Sequence, residues 1–233
     1  MIRHDVQLTR DWMRSGTEVL TRTLDPLPDA ELDRPSALPG WTRRHVVAHL
    51  ARNAEALARL LAWARTGVPT PMYASPEQRS SEIESSAQFD LARLRREFAE
   101  TAAALDDDVA ALSDGEWQAT VRSARGREIP AAEVPWMRAR EVWLHALDLD
   151  AGVGPGQLPP AFSAELVDDV VGFFTAGAGA PAVRLSCAER TWSIGVDGPL
   201  IQGEPAYLAS WLTGRSEGEG LSYVELPELP KWL

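Results

Sequence analysis

The sequence has a single cysteine in 233 residues, Cys187. No internal disulfide can form, and no Cys-rich zinc framework is possible. Leu185 and Ser186 precede it in a strand-like run, which predicts a buried, inert thiol rather than a nucleophile. Any thiol chemistry must therefore borrow its thiol from outside. Long apolar runs are also missing, so no segment reaches the length of a membrane span. Met1-Ile2-Arg3-His4-Asp5 lacks the apolar core of a signal peptide. Together these absences predict a cytoplasmic protein with no membrane partner. Positive charge is scarce: 23 Lys and Arg face 34 Asp and Glu, for a formal net charge of -11. That disfavours nucleic acid, which needs a basic footprint. A small anionic ligand remains compatible with it, provided arginines cluster locally. No Gly-x-Ser-x-Gly element is present. The Gly-rich pieces near Gly152 and Gly177 lack the strand-then-helix context of a phosphate loop.

What is present is enough to bury a substantial core: 45% hydrophobic residues and 24% charged ones, ordinary for a globular chain. A first helix is predicted over Val6 to Leu24, with Leu8, Met13, Val19, Leu20 and Leu24 at helical spacing. Thr42 follows Pro39-Gly40-Trp41 as an N-cap, and a long helix runs from it to Thr66, stopped by Gly67 and Pro69. The Pro-rich piece from Val68 to Pro76 reads as extended chain lying over the domain surface or over a site. A third helix is expected from Ser86 to Leu112, with Phe89 and Leu91 among its core residues. A short hairpin follows with Arg125-Gly126-Arg127 at its tip, then a fourth helix with Pro135 in its first turn.

Four such helices predict a four-helix bundle. After the Gly- and Pro-rich junction from Gly152 to Pro160 the pattern changes. A helix over Phe162 to Thr175 is followed by strands at Ala182–Cys187, Thr191–Val196 and Leu200–Gln202. A short helix at Pro205–Leu212 and a last strand near Leu221–Leu226 complete the reading. The fold class is α+β: an N-terminal four-helix bundle over residues 1–151 and a small C-terminal α/β domain over residues 152–233.

The fourth helix carries Glu141-x-x-x-His145. Residues i and i+4 share a helix face, so an oxygen and a nitrogen can meet at one point, half of a site for a divalent metal. The second helix carries His45 and His49, also four apart, and His49 and Asn53 fall inside its apolar stripe. A histidine there with Glu141 and His145 makes three protein ligands with positions left open, the pattern of a catalytic zinc site. Nickel, manganese and iron accept the same donors. Spacing does not choose between His45 and His49. The rival reading makes Arg138, Glu141, His145 and Asp148 a solvated helix face, with Trp136, Trp143 and Leu147 pointing inward and Arg138 or Arg140 engaged in surface salt bridges. For the nine tryptophans, core packing is the default reading.

Several stretches carry a resemblance in order along the chain. They are Gly40-Trp41-Thr42-Arg43-Arg44-His45-Val46-Val47-Ala48-His49, Thr70-Pro71-Met72-Tyr73-Ala74-Ser75-Pro76-Glu77, and the helix from Trp136 to Leu149 with its Glu-x-x-x-His. Thr213-Gly214-Arg215 and the closing Pro230-Lys231-Trp232-Leu233 complete the set. With these the sequence resembles the mycothiol-dependent maleylpyruvate isomerases, within the DinB-like superfamily of metal-dependent thiol enzymes. Residues from Pro155 to Glu189 match poorly.

The resemblance implies zinc, or another divalent metal, held by His49, Glu141 and His145. It implies mycothiol as thiol cofactor, and Arg215 as the functionally required arginine. It further implies cis–trans isomerisation of maleylpyruvate to fumarylpyruvate in aromatic (gentisate) catabolism. In that chemistry a thiolate adds to the conjugated alkene, the resulting single bond rotates, and elimination restores the trans alkene. Arg215, with Arg138 or Arg140, would stabilise the developing enolate. The same likeness leaves room for a mycothiol S-transferase acting on another electrophile, and for a non-enzymatic ligand-binding or regulatory protein that keeps the fold. The oligomeric state and the role of Tyr73 are not legible.

Overall fold

A computed structural model of the chain describes residues 4–177 and 179–232; Met1 to Arg3, Ala178 and Leu233, the last residue of the closing motif, lie outside the described residues. Two compact units meet in sequence at Gly152 and Val153.

The first unit is built on four long helices. Helix α1 (Val6–Leu24) begins where the Asp5 carboxylate accepts from the Leu8 N–H, satisfying one of the orphan donors of a helix start. Helix α3 (Arg43–Thr66) ends at Gly67, whose φ of 71° is the left-handed cap. Helix α5 (Leu91–Ala111) begins at the Asp90 N-cap, and α7 (Val134–Asp148) has proline in its first turn. Each of the four packs on two others: α1 on α7 and α5, α3 on α5 and α7. That is the bundle expected, with Leu20, Leu50, Leu57, Leu60, Leu94, Leu105 and Val142 in its core. Leu8, expected in the apolar stripe, is exposed; the face of α1 that meets the bundle runs through Trp12, Met13, Gly16, Leu20 and Leu24 instead.

Between these helices lie three short ones, α2 (Asp29–Leu32), α4 (Pro76–Ala87) and α6 (Asp114–Trp117). A hairpin pairs β1 (Thr120–Arg122) with β2 (Glu128–Pro130). Helix α4 corrects the sequence reading, which ran the Pro-rich stretch directly toward a third helix starting at Ser86. Ser75 caps α4 by accepting from Gln78 N–H, with Pro76 at its first position. Phe89 and Leu91 consequently sit at a junction and are half-buried rather than core.

At Gly16, α1 approaches α7 so closely that a Cβ would lie 2.4 Å from Val142 Cγ2 and 3.0 Å from the Trp143 ring. Glycine costs roughly 1 kcal/mol in a helix interior, and this contact is its reason. Gly16→Val is therefore expected to destabilise the protein by about 1–3 kcal/mol, as overpacking does, read as a lowered midpoint in urea. An unchanged midpoint would contradict so tight a crossing.

The register between α3 and α7 is set by buried arginines. Arg43, the first residue of α3, donates from Nε to Leu149 O at 2.8 Å and from Nη1 to Glu31 Oε2 at 2.7 Å. It thereby satisfies a carbonyl at the end of α7. Ala37 N–H donates to Asp148 O at 2.9 Å. Further along, Arg138 crosses from α7 to α3, its Nη1 donating to Leu50 O and to Asn53 Oδ1, both at 2.8 Å. This is the partner that Asn53 requires inside an apolar stripe.

The second unit has one long helix, α8 (Pro160–Ala176), and a three-stranded sheet of order β4-β3-β5. Strand β3 (Val183–Ser186) runs antiparallel to β4 (Thr191–Ile194) and parallel to β5 (Leu200–Gln202). Val183, Leu185, Trp192, Ile194 and Ile201 are the buried alternate residues, and β4 packs on α8. Trp192 donates its indole N–H to Asp168 on that helix at 2.8 Å. Helix α9 (Pro205–Leu212) follows as expected. The last expected strand is not formed: only Ser222 bridges to Gln202, and Val224 is 99% exposed. Cys187 follows β3 half-buried rather than buried. Among the described residues, no helix is long and apolar enough to cross a membrane.

Candidate metal centre

His49 projects from the second turn of α3, and Glu141 and His145 from successive turns of α7. His49 Nε2 lies 2.8 Å from Glu141 Oε2, and His145 Nε2 lies 3.2 Å from the same oxygen. One ligand atom from each residue falls within 4.8 Å of the others, and the two imidazole rings meet edge to face at 4.6 Å. His49 is sealed at 3% exposure, whereas the Glu141 side chain is 32% exposed. The cluster is closed on the α3 side and open at the carboxylate.

His45 does not join it. Its Nδ1 accepts from the Thr42 N–H at 3.2 Å, closing the N-terminus of α3, and its Nε2 faces Glu84. His4 stacks on Trp136 and contacts Glu133. The supposed solvated face of α7 is also corrected: Arg138 and Asp148 are each 1% exposed. Arg140 is half-buried with its guanidinium over the Trp136 ring.

Asp148 supplies what the three donors alone lack. Its Oδ2 lies 2.8 Å from His145 Nδ1. A carboxylate on one ring nitrogen turns the other toward the ligand position and raises its basicity, as in carboxylate–histidine–metal triads. Asp148 stands at i+3 from His145, a spacing visible in the sequence. His145 thus lies between two carboxylates. A neutral imidazole can donate to only one of them, so the second contact needs either a proton or a cation. This donor set, two nitrogens and an oxygen with a supporting carboxylate, fits a divalent metal.

The proton affinities follow from the same geometry. Burial pushes His49 down to about 4, against the pull of Glu141. Burial also resists ionisation of Glu141, but His145 and His49 together outweigh it and hold its carboxyl well below the usual range. Burial likewise opposes charge on His145, yet Asp148 and Glu141 prevail and raise its pKa above 6.5.

A metal must displace the proton on His145. Below that raised pKa, metal affinity should fall about tenfold per pH unit, and binding there should release about one proton per ion. Calorimetry in buffers of different ionisation enthalpy reads this directly; proton-independent binding would contradict the assignment. For the metal-free protein the signs oppose. The stability contributed by His145 is fully present below 6.5 and lost as pH rises through its raised pKa. That of His49 is present above 6.5 and lost as pH falls toward about 4.

Arg79 on α4 reaches the outer side of the cluster, its Nη2 3.4 Å from His49 Nδ1. Arg215 lies in the second unit just beyond α9. Its backbone N–H donates to Ser210 O at 2.7 Å and its Nη1 to Thr213 O at 2.8 Å.

Residues 13–150 match the family model described as the mycothiol maleylpyruvate isomerase N-terminal domain. A crystal structure of the mycothiol-dependent maleylpyruvate isomerase superposes with a TM-score of 0.92 at 34% identity, over 98% of each chain. A histidine-to-alanine mutant of the mycothiol-dependent maleylpyruvate isomerase gives 0.91 at 33%, also over 98% of each chain. YfiT from Bacillus subtilis, described as a probable metal-dependent hydrolase with an unusual four-helix bundle topology, gives 0.53 at 18% identity. That match covers 64% of this chain and 86% of the other, a likeness of fold alone. No curated protein matches the sequence significantly.

Proposed function

The chain belongs to the mycothiol maleylpyruvate isomerase family, and from that premise we propose that it is a metal-dependent isomerase using mycothiol to convert maleylpyruvate to fumarylpyruvate. The observation that carries this reading is the convergence of His49, Glu141 and His145 from two helices, with Asp148 behind His145. His49 Nε2, His145 Nε2 and a Glu141 oxygen would hold the ion, and nitrogen and carboxylate donors in an open three-residue set favour zinc. The chemistry such an ion supplies is ionisation of an incoming thiol near neutral pH.

The protein's own residues then have distinct tasks. Asp148 holds the Nδ1 proton of His145, keeping Nε2 available as donor. Trp41, whose ring centroid lies 5.6 Å from that of His49, helps shield the α3 side of the cluster from water. The solvent-open Glu141 edge is where a thiol and an alkene can be brought together. Addition of the thiolate sulfur to the conjugated double bond pushes an electron pair onto the adjoining carbonyl as an enolate. The former double bond, now single, rotates; return of the electron pair expels the sulfur and leaves the trans alkene. Arg215 is assigned to the developing anion, following the family likeness, because a planar guanidinium matches carboxylate and enolate oxygens.

Product analysis separates this from thiol transfer to an electrophile. With mycothiol at a small fraction of the maleylpyruvate concentration, proton NMR should show fumarylpyruvate accumulating while the thiol is unconsumed. A thioether adduct formed in step with thiol loss would replace the isomerase reading with a transferase one.

A further inference from the structure

Two buried donors near the cluster have no acceptor. Arg138 is 1% exposed; its Nη1 is used by Leu50 and Asn53, but its Nη2 has no hydrogen-bond partner. The hydroxyl of Tyr73, on the Pro-rich segment before α4, is likewise buried with no acceptor for its proton, Arg79 being close enough to donate to its oxygen. Unpaired donors of this kind are rare and costly, about 1–3 kcal/mol for a neutral group and more for a charged one. Here they occur together: Arg138 is close enough to Tyr73 and Glu141 to interact electrostatically with both, and Tyr73 with Arg79 and Glu141. Arg138 has a carbonyl and an amide oxygen as acceptors but no carboxylate, an expensive way to bury a guanidinium unless an anion arrives.

The space for an anion is present. A cleft of about 530 Å³ runs under the Pro-rich segment, with Tyr73 and Arg79 on its walls beside Trp63 and Met72, and Arg122 from the hairpin. The segment is pinned there by Arg59, whose Nη1 donates to Met72 O at 2.6 Å. Burial pushes the Tyr73 phenol up, against the pull of Arg79, so at neutral pH it remains an O–H donor. Arg79 is the link to the cluster. If His49 Nε2 serves a metal, its proton sits on Nδ1, which can then accept nothing from Arg79. The Arg79 guanidinium becomes available to the cleft it already lines.

We propose that Tyr73 and Arg79, on the cleft wall, form a carboxylate receptor beside the His49–Glu141–His145 cluster, that the buried Arg138 charge near Tyr73 reinforces it, and that it holds one carboxylate of a small, cis-configured dicarboxylic acid. This rests on the isomerase reading for the identity of the acid, and on the orphaned donors for the site. The receptor combines the Arg79 guanidinium and the neutral Tyr73 hydroxyl with the Arg138 charge nearby, so it discriminates for a carboxylate over a neutral amide, as sites with buried hydrogen-bonding groups do.

Maleate, titrated calorimetrically into the zinc-replete full-length protein without thiol, tests the receptor by binding alone. Tyr73→Phe removes one oxygen at a half-buried position and should weaken maleate about tenfold. Arg79→Gln should weaken it tenfold to a hundredfold. Both variants should retain wild-type zinc content, and maleamide should bind no better to wild type than to either variant. Absence of saturable maleate binding, or a Kd unchanged in both variants, overturns the proposal. The two readings fail differently: an isomerase with no receptor turns over maleylpyruvate while maleate affinity ignores both substitutions. A receptor in a protein of other function binds maleate as described and leaves maleylpyruvate unchanged.

Discussion

His49→Ala should leave the protein folded but without stoichiometric metal, and should lower mycothiol-dependent turnover of maleylpyruvate by at least about a thousandfold. The estimate follows from several kcal/mol of charge stabilisation by a bound metal, at about 1.4 kcal/mol per tenfold. The loss falls on the ligand set because the site has no spare nitrogen. His45 is spent on closing the α3 N-terminus, and His4 faces Glu133. Removal of His49 also takes away one of the two groups that stabilise the Glu141 carboxylate, weakening the remaining pair further. Metal analysis and circular dichroism on the same preparation separate loss of the ion from loss of the fold. A variant with full metal content and wild-type turnover would remove His49 from the site.

If Arg215 has the role proposed for it, Arg215→Lys should preserve metal content and lower kcat by about 10²–10³-fold, the usual cost of removing a donor to a developing oxyanion. Lysine keeps the charge but not the planar fork. The position is locally constrained: Gly214 has φ of 74°, and Arg215 is tied to Ser210 and Thr213 through its backbone and side chain. Lysine has a single ammonium with which to replace the planar guanidinium that contacts Thr213 O. Stopped-flow assays at saturating maleylpyruvate isolate kcat from binding. Turnover within a factor of about three of wild type would discharge Arg215 from the chemistry while leaving the metal reading intact.

Much of this architecture is legible in residue order because it depends on local signals. Thr42 and Gly67 bound α3, and Pro205 starts α9, where neighbours in sequence decide the backbone. The Glu-x-x-x-His pair is local as well, since one turn of helix fixes its geometry. What the sequence hides is decided by distant partners. Arg138 reads as a surface charge until Leu50 O and Asn53 Oδ1, on another helix, accept its hydrogen bonds. Choosing His49 over His45 by geometry requires knowing that Nδ1 of His45 is occupied by the Thr42 N–H. Helix α4 was legible in principle, because Ser75-Pro76-Glu77 is a capping serine followed by a first-turn proline; the surrounding prolines masked it. The strand expected near Leu221–Leu226 has alternating residues but no neighbour to pair with beyond Ser222, and β propensity is expressed only where a partner strand exists.

The proposed mechanism has one ion, held by His49, Glu141 and His145, make an external thiol into the isomerisation catalyst. Its most direct test is the rate of maleylpyruvate loss with metal-stripped protein, zinc-reloaded protein and thiol-only buffer, each with and without mycothiol. Conversion to fumarylpyruvate is expected only where reloaded protein and mycothiol are both present. Loss of maleylpyruvate by reloaded protein no faster than in the thiol-only buffer would contradict it.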